Sequence, residues 1–338
     1  METLLSRWLE GLDASLTLDE GSVSEARERV RAVGRAQGLA ETQVERLAIV
    51  VSELARNQLA HAHGGAVAVL PVTRGGVHGV EVIAADRGAG IADPTAALSG
   101  QGNAVGSLGA GLASVVRQAD EVDFDVRWGE GTCVRARKYA APPPYRSEVA
   151  LLGRIYPGEL ISGDHALWIW SEEALVVGVV DGLGHGPEAR EAADRAIELM
   201  RERPLLAPER ILEHCDAGLK GTRGAAMGIV RLERRSGALS HVCVGNIATR
   251  VCRPGQVDAL GCSPGVLGIP RQQARTLRSE SWLRPGELLV MHTDGLSSRT
   301  TIDDAVLLRH HPLVVAHELV RRFGKNHDDA LVLVARAG

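Results

Sequence analysis

Hydrophobic positions in the first 138 residues follow two periods. Val44, Leu47, Val51 and Leu54 recur at helical spacing, which predicts a helix over about 41–61 that ends before Gly64. A second helix is predicted to open at Ser22 or Ser24, and a third covers 112–119. Short runs of strand-favouring residues predict strands at 15–18, 66–72, 77–85, 122–128 and 132–138. The strands 66–72 and 77–85 are expected to pair as a hairpin. This order predicts an α/β sandwich.

Three consecutive prolines, Pro142 to Pro144, interrupt the pattern and favour an extended connector. We therefore predict two domains, 1–138 and 147–338, joined by a linker at 139–146. Downstream, the chain changes to many short β runs separated by three helices. The predicted helices are 187–203, 208–220 and 312–323, and the predicted strands are 148–155, 165–170, 175–180, 225–233, 239–244, 248–252, 287–292 and 330–335. Two packed sheets flanked by helices follow, so the whole chain is predicted to be of the α/β (α+β) class.

Composition narrows the functional classes. The chain has 338 residues, 45% of them hydrophobic, and a net charge of -4 without a basic run, which disfavours a nucleic-acid partner. None of its three lysines follows a phosphate-binding P-loop pattern, so that nucleotide site is excluded. No stretch is apolar for long enough to span a membrane, and the five cysteines include no C-x-x-C pair. We expect a cytoplasmic protein with reduced thiols and no membrane partner.

A first group of chemically active residues lies in the N-terminal half. Glu53 and Asn57 are four residues apart and project from one face of the long helix, where a carboxylate and an amide oxygen could activate a hydroxyl and hold magnesium. Asp86 ends an apolar strand and could accept from an adenine amino group, while Gly88 and Gly90 permit close approach of a ligand. A glycine-rich stretch, 106–111, then leads into a helix whose N-terminus suits phosphates.

These stretches resemble the GHKL ATPase superfamily, and within it the anti-sigma-factor serine kinases and the stressosome switch kinases. The matching stretches are 52–57 (Ser-Glu-Leu-Ala-Arg-Asn), 86–91, 108–112, 120–121 and 129–132. The resemblance implies a Bergerat-type α/β sandwich in which Glu53 is the catalytic base, Asn57 binds magnesium on ATP and Asp86 contacts adenine. It also implies further nucleotide contacts at Gly88, Gly90, Gly106, Leu108, Gly109, Gly111 and Thr132.

A second group consists of aspartates at strand ends in the C-terminal half. Asp181 ends a buried strand and is followed by Gly182, and the same arrangement recurs at Asp294 and just before the last strand at Asp328. Asp164 follows a glycine earlier in the chain. Three such aspartates suit a two-metal site that polarises a phosphate and lowers the pKa of a water molecule.

In this order, the residues resemble the metal-dependent type 2C protein phosphatases, particularly the SpoIIE-like bacterial branch. The matching stretches are 163–164, 181–186 (Asp-Gly-Leu-Gly-His-Gly), 245–246, 264–268, 293–296 and 328–329. The resemblance implies an α-β-β-α sandwich and a magnesium or manganese site formed by Asp164, Asp181, the Gly182 carbonyl, Asp294 and Asp328. Asp181 would bridge two ions and act in catalysis. Thr293 stands where the family commonly has serine, and Leu331 where threonine is usual.

Taken together, the two resemblances imply a bifunctional signalling protein that uses ATP, magnesium and manganese. One half would phosphorylate serine or threonine and the other would remove the phosphate, both acting on STAS-domain regulators, either anti-sigma antagonists or stressosome scaffold proteins. A homodimer stays open. In a second hypothesis, the ATP-binding domain is a nucleotide sensor or docking module and only the phosphatase is an enzyme. In a third, the phosphatase half is an inactive scaffold, which the intact aspartates disfavour.

Overall fold

The computed structural model describes residues 8–9, 11–17, 19–99, 108–269, 277–297, 299–300, 302 and 304–337. The chain divides into two compact units, residues 1–150 (unit 1) and 151–338 (unit 2). The division falls after the predicted linker, because the residues that follow Tyr139 pack on unit 1. The Ala140 amide donates to the His78 carbonyl (2.9 Å), and Pro144 lies where a side chain on Gly75 would be.

Five strands of unit 1 lie in the order β1-β2-β3-β5-β4, with antiparallel neighbours. Their bounds are β1 (Ala14–Thr17), β2 (Gly65–Arg74), β3 (Val77–Asp86), β4 (Glu121–Trp128) and β5 (Gly131–Tyr139). The described helices are α1 (Glu20–Ala36), α2 (Glu41–Ala62), α3 (Pro94–Ser99) and α4 (Leu108–Gln118). The mixed α/β sandwich predicted for this half is confirmed.

Helix α2 positions the first candidate site. Its predicted apolar stripe is buried, with Val44, Leu47 and Val51 fully covered, so the opposite face carries the polar residues. Two predicted boundaries were wrong. Helix α1 begins earlier, because Asp19 rather than a serine caps it by accepting from the Ser22 amide (2.8 Å). Helix α4 begins at Leu108 rather than at 112.

Unit 2 contains two sheets. One has the order β13-β10-β9-β8-β7, and the other places four strands in the order β15-β14-β11-β12. Glycine at position 228 of β9 lets the sheets approach, since a Cβ there would lie 3.1 Å from Met291 Cε of β14. The strands are β7 (Asp164–Trp170), β8 (Ala174–Gly182), β9 (Ala225–Glu233), β10 (Ala238–Val244), β11 (Ala248–Arg253), β12 (Gln256–Leu260), β13 (Arg278–Trp282), β14 (Leu288–His292) and β15 (Ala330–Ala337), while β6 (Ser147–Arg154) contains the division between the units.

The helices of unit 2 are α5 (Pro187–Glu202), α6 (Pro208–Gly218) and α7 (Pro312–Phe323), and a short 3₁₀ turn covers Leu307–Arg309. Each helix begins with proline, a residue favoured in the first helical turn. Apolar residues of α5, α6, β8 and β9 share one core, which includes Val180, Met200 and Ile229. No helix in the described ranges is both long and apolar enough to cross a membrane.

The expectation that all thiols are reduced was wrong for two of them. Cys243, at the end of β10, forms a disulfide with Cys262. The other three cysteines, Cys133, Cys215 and Cys252, are free and buried. Spacing along the chain gives no sign of this bond, because the two partners are 19 residues apart and meet only when the strands have assembled.

Candidate functional site

Glu53 and Asn57 lie on the solvent-facing side of α2, each half-buried, beneath the first turns of α4. Gly111 of α4 makes this approach possible. A Cβ there would lie 2.9 Å from Glu53 Oε2 and 3.2 Å from Asn57 Oδ1. The Asn57 Nδ2 atom is buried and has no hydrogen-bond partner among the described residues. An unpaired buried amide suits a group that arrives with a ligand.

Asp86 ends β3 directly opposite Thr132 of β5. Its Oδ1 accepts from the Gly88 amide (2.8 Å), which fixes the side chain at the mouth of a turn. Burial raises the pKa of Asp86 to about 6. No cation among the described residues dominates the surroundings of this carboxylate. It therefore suits a neutral hydrogen-bond donor, such as the amino group of a nucleotide base.

A pocket of about 450 Å³ unites most of the predicted nucleotide contacts. Asn57, Asp86, Gly88, Gly90 and Thr132 line it together. The wall is otherwise largely apolar, and the remaining lining residues are Leu54, Gln58, His61, Ala84, Ala89, Ile91, Leu112 and Val134. Apolar walls with one buried acceptor fit a purine base. Leu108 and Gly109 belong to the first turn of α4, and Gly106 lies outside the described residues.

Gln58 is a pocket residue that the sequence analysis did not select. Its Nε2 donates to the carbonyls of Ala66 and Ala85, both at 3.1 Å, and so fixes the ends of β2 and β3 against α2. Gly65 leaves room for this side chain, since a Cβ there would lie 2.6 Å from Gln58 Cδ. The sequence signal for Gln58 was its position directly after Asn57.

The aspartates of unit 2 gather at strand ends. Asp181 of β8 is opposite Asp164 of β7 in the ladder. Asn246, in the turn after β10, donates to Asp181 Oδ2 (3.2 Å) and to Asp294 Oδ2 (2.9 Å). Burial of Asp328, followed by the charge of the neighbouring Asp294, raises the pKa of Asp328. Asn246 matches a motif of the resembled family without a predicted role, and its side chain lies between two predicted metal ligands.

Thr293 explains why two departures from the family pattern are tolerated. Its Oγ1 donates to Asp164 Oδ2 (2.7 Å) and accepts from the Leu331 amide (3.0 Å). A threonine hydroxyl makes the same bonds as a serine hydroxyl. At position 331 the backbone amide makes the contact, so the buried leucine side chain is compatible with the arrangement.

Burial and the charges of neighbouring carboxylates raise the pKa values of Asp164, Asp181 and Asp328. Burial, followed by the charge of Asp294, raises the pKa of Asp181 to about 7. Burial and the charge of Asp181 raise the pKa of Asp164 well above its usual range. Hard carboxylate oxygens with raised pKa values fit magnesium or manganese, whose charge would relieve the repulsion. As placed, however, no three acidic, histidine or cysteine side chains among the described residues are grouped closely enough to enclose one ion. The ligand set therefore stays a prediction.

Neighbouring residues build the rim of this cluster. Asp329 accepts from the amides of Tyr156 (2.6 Å) and Gly163 (2.7 Å), so it holds the segment before β7 in place. His185 hydrogen-bonds through Nδ1 to Glu159 Oε1 (2.8 Å) and stacks on Tyr156, with ring centroids 4.9 Å apart. Gly182 must be glycine, because a Cβ would lie 2.0 Å from the Ala189 carbonyl oxygen.

Comparison with known proteins assigns both halves. Residues 16–138 match the family described as histidine kinase-like ATPase domain. The serine/threonine-protein kinase RsbT of Bacillus subtilis (strain 168) is 34% identical over 122 residues, which cover 36% of this chain and 92% of that protein. Residues 171–338 match the family stage II sporulation protein E (SpoIIE). The chain belongs to the RsbT-like ATPases and the SpoIIE-type phosphatases.

The chain has further relatives. The phosphoserine phosphatase RsbX of B. subtilis (strain 168) is 27% identical over 143 residues, 41% of this chain and 70% of that protein. A solved structure from work on the bacterial stressosome as a modular system is 30% identical and covers 56% of this chain and 100% of that one, with a TM-score of 0.53. RsbX in complex with magnesium is 21% identical, with a TM-score of 0.50, covering 59% of this chain and 98% of that one, and shows the shared fold. Residues 171–338 therefore form a SpoIIE-type domain.

Proposed function

We propose that the SpoIIE-type domain removes phosphate from serine or threonine of a regulatory protein in a metal-dependent reaction. The observation that carries this is the Asn246 amide, which links Asp181 and Asp294. Magnesium or manganese ions would be held by Asp164, Asp181, the Gly182 carbonyl, Asp294 and Asp328. Such ions, when bound, supply Lewis-acid polarisation of the phosphate and a water of lowered pKa.

The residues of the chain have distinct tasks in this proposal. Asn246 orients the Asp181 and Asp294 carboxylates, and Thr293 fixes Asp164 through its hydroxyl. Asp329 acts at one remove, by ordering the segment from Tyr156 to Gly163. The carboxylates would therefore be oriented before substrate arrives, which limits reorganisation during the reaction.

The RsbT-like domain has a second proposed activity, phosphorylation of serine or threonine with ATP. Gly111 favours it, because this glycine allows α4 to lie against both Glu53 and Asn57. Asn57 would hold magnesium on ATP, Glu53 would be the base for the substrate hydroxyl, and Asp86 would accept from adenine. A nucleotide sensor would need Asn57 and Asp86 but not Glu53.

STAS-domain regulators are the proposed substrates of both domains. The matched kinase RsbT and phosphatase RsbX support opposing actions on serine or threonine, and the structure from the stressosome work supports this kind of pathway. Cytoplasmic location and self-association stay predictions.

Two variants of the full chain test these assignments. With γ-labelled ATP, magnesium and a STAS-domain protein, Glu53→Gln should abolish transfer of label and retain binding of ADP. Asp181→Asn should transfer label but fail to release it when manganese is added. Transfer that persists undiminished in Glu53→Gln would remove Glu53 as the base, whereas absence of transfer in wild-type protein that binds ADP would favour the sensor. Release of phosphate by Asp181→Asn would contradict the phosphatase assignment.

A further inference from the structure

The disulfide between Cys243 and Cys262 lies directly beside the turn that carries Asn246. Cys243 is fully buried at the end of β10, whereas Cys262 is half-buried. Gly245 and Asn246 follow Cys243 after one residue, and Asn246 contacts Asp181 and Asp294. The covalent link is therefore three residues from an amide that orients two proposed metal ligands.

Backbone contacts extend the link on both sides of this turn. The Gly245 amide donates to the Ser263 carbonyl, and the Ser263 amide donates to the Cys243 carbonyl, both at 2.9 Å. Gly245 has a positive φ of 105°, and a Cβ there would lie 2.3 Å from Ala226 Cβ. The turn is thus tightly enclosed, and the disulfide fastens the segment that encloses it.

The fastened segment also reaches the strand beside Gly182. Leu267 and Ala225 exchange backbone hydrogen bonds of 2.9 and 3.2 Å, and Ala225 is opposite Gly182 in the ladder between β8 and β9. Residues 262–267 therefore border the acidic cluster at two places, near Asn246 and near Gly182. Release of the segment would loosen both.

The free cysteines differ from Cys262 in burial. Cys133, Cys215 and Cys252 are buried, and burial raises the pKa of each thiol to about 12. A thiol with such a pKa carries almost no thiolate at neutral pH and reacts slowly. Among the described cysteines, Cys262 alone is half-buried and the others are buried.

We propose that Cys243 and Cys262 form a thiol–disulfide exchange site that sets the cation affinity of the acidic cluster. The proposal rests on the proposed phosphatase function. Its ligand is a dithiol reductant, whose thiolate attacks Cys262 Sγ and breaks the S–S bond; Cys243 leaves as thiolate and takes a proton. The second thiolate of the reductant then attacks the reductant sulfur in the mixed disulfide and releases Cys262, which is protonated. Two electrons pass to the protein, and the reductant ends as a disulfide.

The oxidised form should bind cations more tightly, because the closed link holds Asn246 against Asp181 and Asp294. Loss of outer contacts that orient metal ligands typically weakens affinity about 10- to 100-fold. We therefore expect reduction of the full chain with dithiothreitol, followed by its removal without oxygen, to weaken Mn²⁺ binding by about tenfold or more. Re-oxidation should restore the affinity.

The test combines thiol counting with calorimetric titration of Mn²⁺. Counted in the unfolded chain, five thiols should be found after reduction and three before it. Cys262→Ser should bind Mn²⁺ weakly whether or not dithiothreitol has been used. Cys252→Ala, which keeps the pair, should respond as wild type does. Circular dichroism shows whether Cys262→Ser is folded. If this variant is unfolded, the reversible change of Mn²⁺ affinity on reduction and re-oxidation of the wild-type chain decides the test.

The possible results separate this proposal from the one on which it rests. Equal Mn²⁺ affinity in the reduced and oxidised wild-type chain, with phosphatase activity in both, would overturn the exchange site alone. Failure of both the oxidised and the reduced chain to bind Mn²⁺ and to release phosphate would overturn both proposals. Two native thiols that cannot be oxidised to the disulfide would also overturn the exchange site.

Discussion

Buried acidic side chains occur in both units, and their surroundings differ. In unit 1, Arg137 Nη2 pairs with Asp123 Oδ2 at 2.7 Å and its Nε pairs with Glu81 Oε1 at 2.8 Å. Arg74 and Arg137 both pair with Glu121, which also accepts from the Tyr139 hydroxyl at 3.1 Å. Here, the negative charges are matched by two buried guanidinium groups.

In unit 2, no lysine or arginine of the described ranges forms an ion pair with Asp164, Asp181, Asp294 or Asp328. Asn246 supplies a neutral amide instead. Buried carboxylates that pair with guanidinium groups are compensated inside the protein. A group of carboxylates without such partners indicates a place for an external cation. The same residue type therefore serves structure in one unit and, in our proposal, chemistry in the other.

Asp164, Asp181, Asp294 and Asp328 of unit 2 are the unpaired group. The largest expected effect is the loss of phosphatase activity when one negative charge is removed from this group. Asp181→Asn should lower the rate of phosphate release by about three orders of magnitude, since metal-ion stabilisation contributes several kcal/mol.

The same change should raise the stability of the metal-free chain at pH 8. The folded-state pKa of Asp181, about 7, exceeds the unfolded value of 3.8, so its ionisation costs stability as pH rises through this range.

Urea unfolding with and without Mn²⁺ measures the stability effect, and phosphate release measures the activity effect. Glu173→Gln, on an exposed side chain of unit 2, serves as a control for charge removal. A metal-free Asp181→Asn chain that is less stable than wild type would contradict the view that this carboxylate is strained by its neighbours.

Removal of a cation from the paired group should act on stability instead. Arg137→Met should lower the free energy of unfolding by about 3–5 kcal/mol, because the buried Glu121 and Asp123 and the half-buried Glu81 lose a partner. Arg35→Met, at an exposed pair with Glu41, should have a much smaller effect. Urea unfolding of both variants tests this. Equal losses would mean that the buried network contributes no more than a surface pair.

Substitutions of Thr293 show how much its hydroxyl contributes to holding Asp164 in place. Thr293→Val removes the donor to Asp164 and the acceptor for the Leu331 amide, and it should cost about 1–3 kcal/mol of stability, whereas Thr293→Ser should cost much less. Thermal unfolding compares the two. Similar losses would assign the effect to the methyl group rather than to the hydrogen bonds.

Asp86 provides an intermediate case, a carboxylate buried singly at a candidate nucleotide site. Because its pKa is raised to about 6, protonation should weaken ADP binding as pH falls. Affinity at pH 5 should be about tenfold lower than at pH 7.5. Calorimetry of wild type and Asp86→Asn tests this; the variant should bind weakly and without the pH dependence. The same pH dependence in both would exclude Asp86 as its source.

Local patterns predicted much of both halves. Helical spacing located α2, and glycines beside strand-end aspartates located Asp86, Asp181 and Asp294, because these signals are contained in a few consecutive residues. Strand β13 (Arg278–Trp282) was missed because exposed and half-buried residues alternate along it and no apolar run marks it. Strand β12 was missed too, and all of its residues are likewise exposed or half-buried.

Contacts distant in sequence were beyond local patterns. The disulfide of Cys243 with Cys262, the link from Asn246 to Asp181 and Asp294, and the role of Gly111 opposite Glu53 all depend on assembled elements. Residues 139–146 read as a linker because prolines dominate them, yet Pro144 packs near Gly75 in unit 1.

The most direct test of the central claim, that the unpaired carboxylates of unit 2 form a metal-dependent phosphatase site, is the rate of phosphate release from a phosphoserine STAS-domain protein. Wild type and Glu53→Gln should release phosphate with Mn²⁺ and stop when EDTA is added, while Asp294→Asn should be inactive under both conditions. Full activity of folded Asp294→Asn, or release by wild type that EDTA leaves unchanged, would contradict the account.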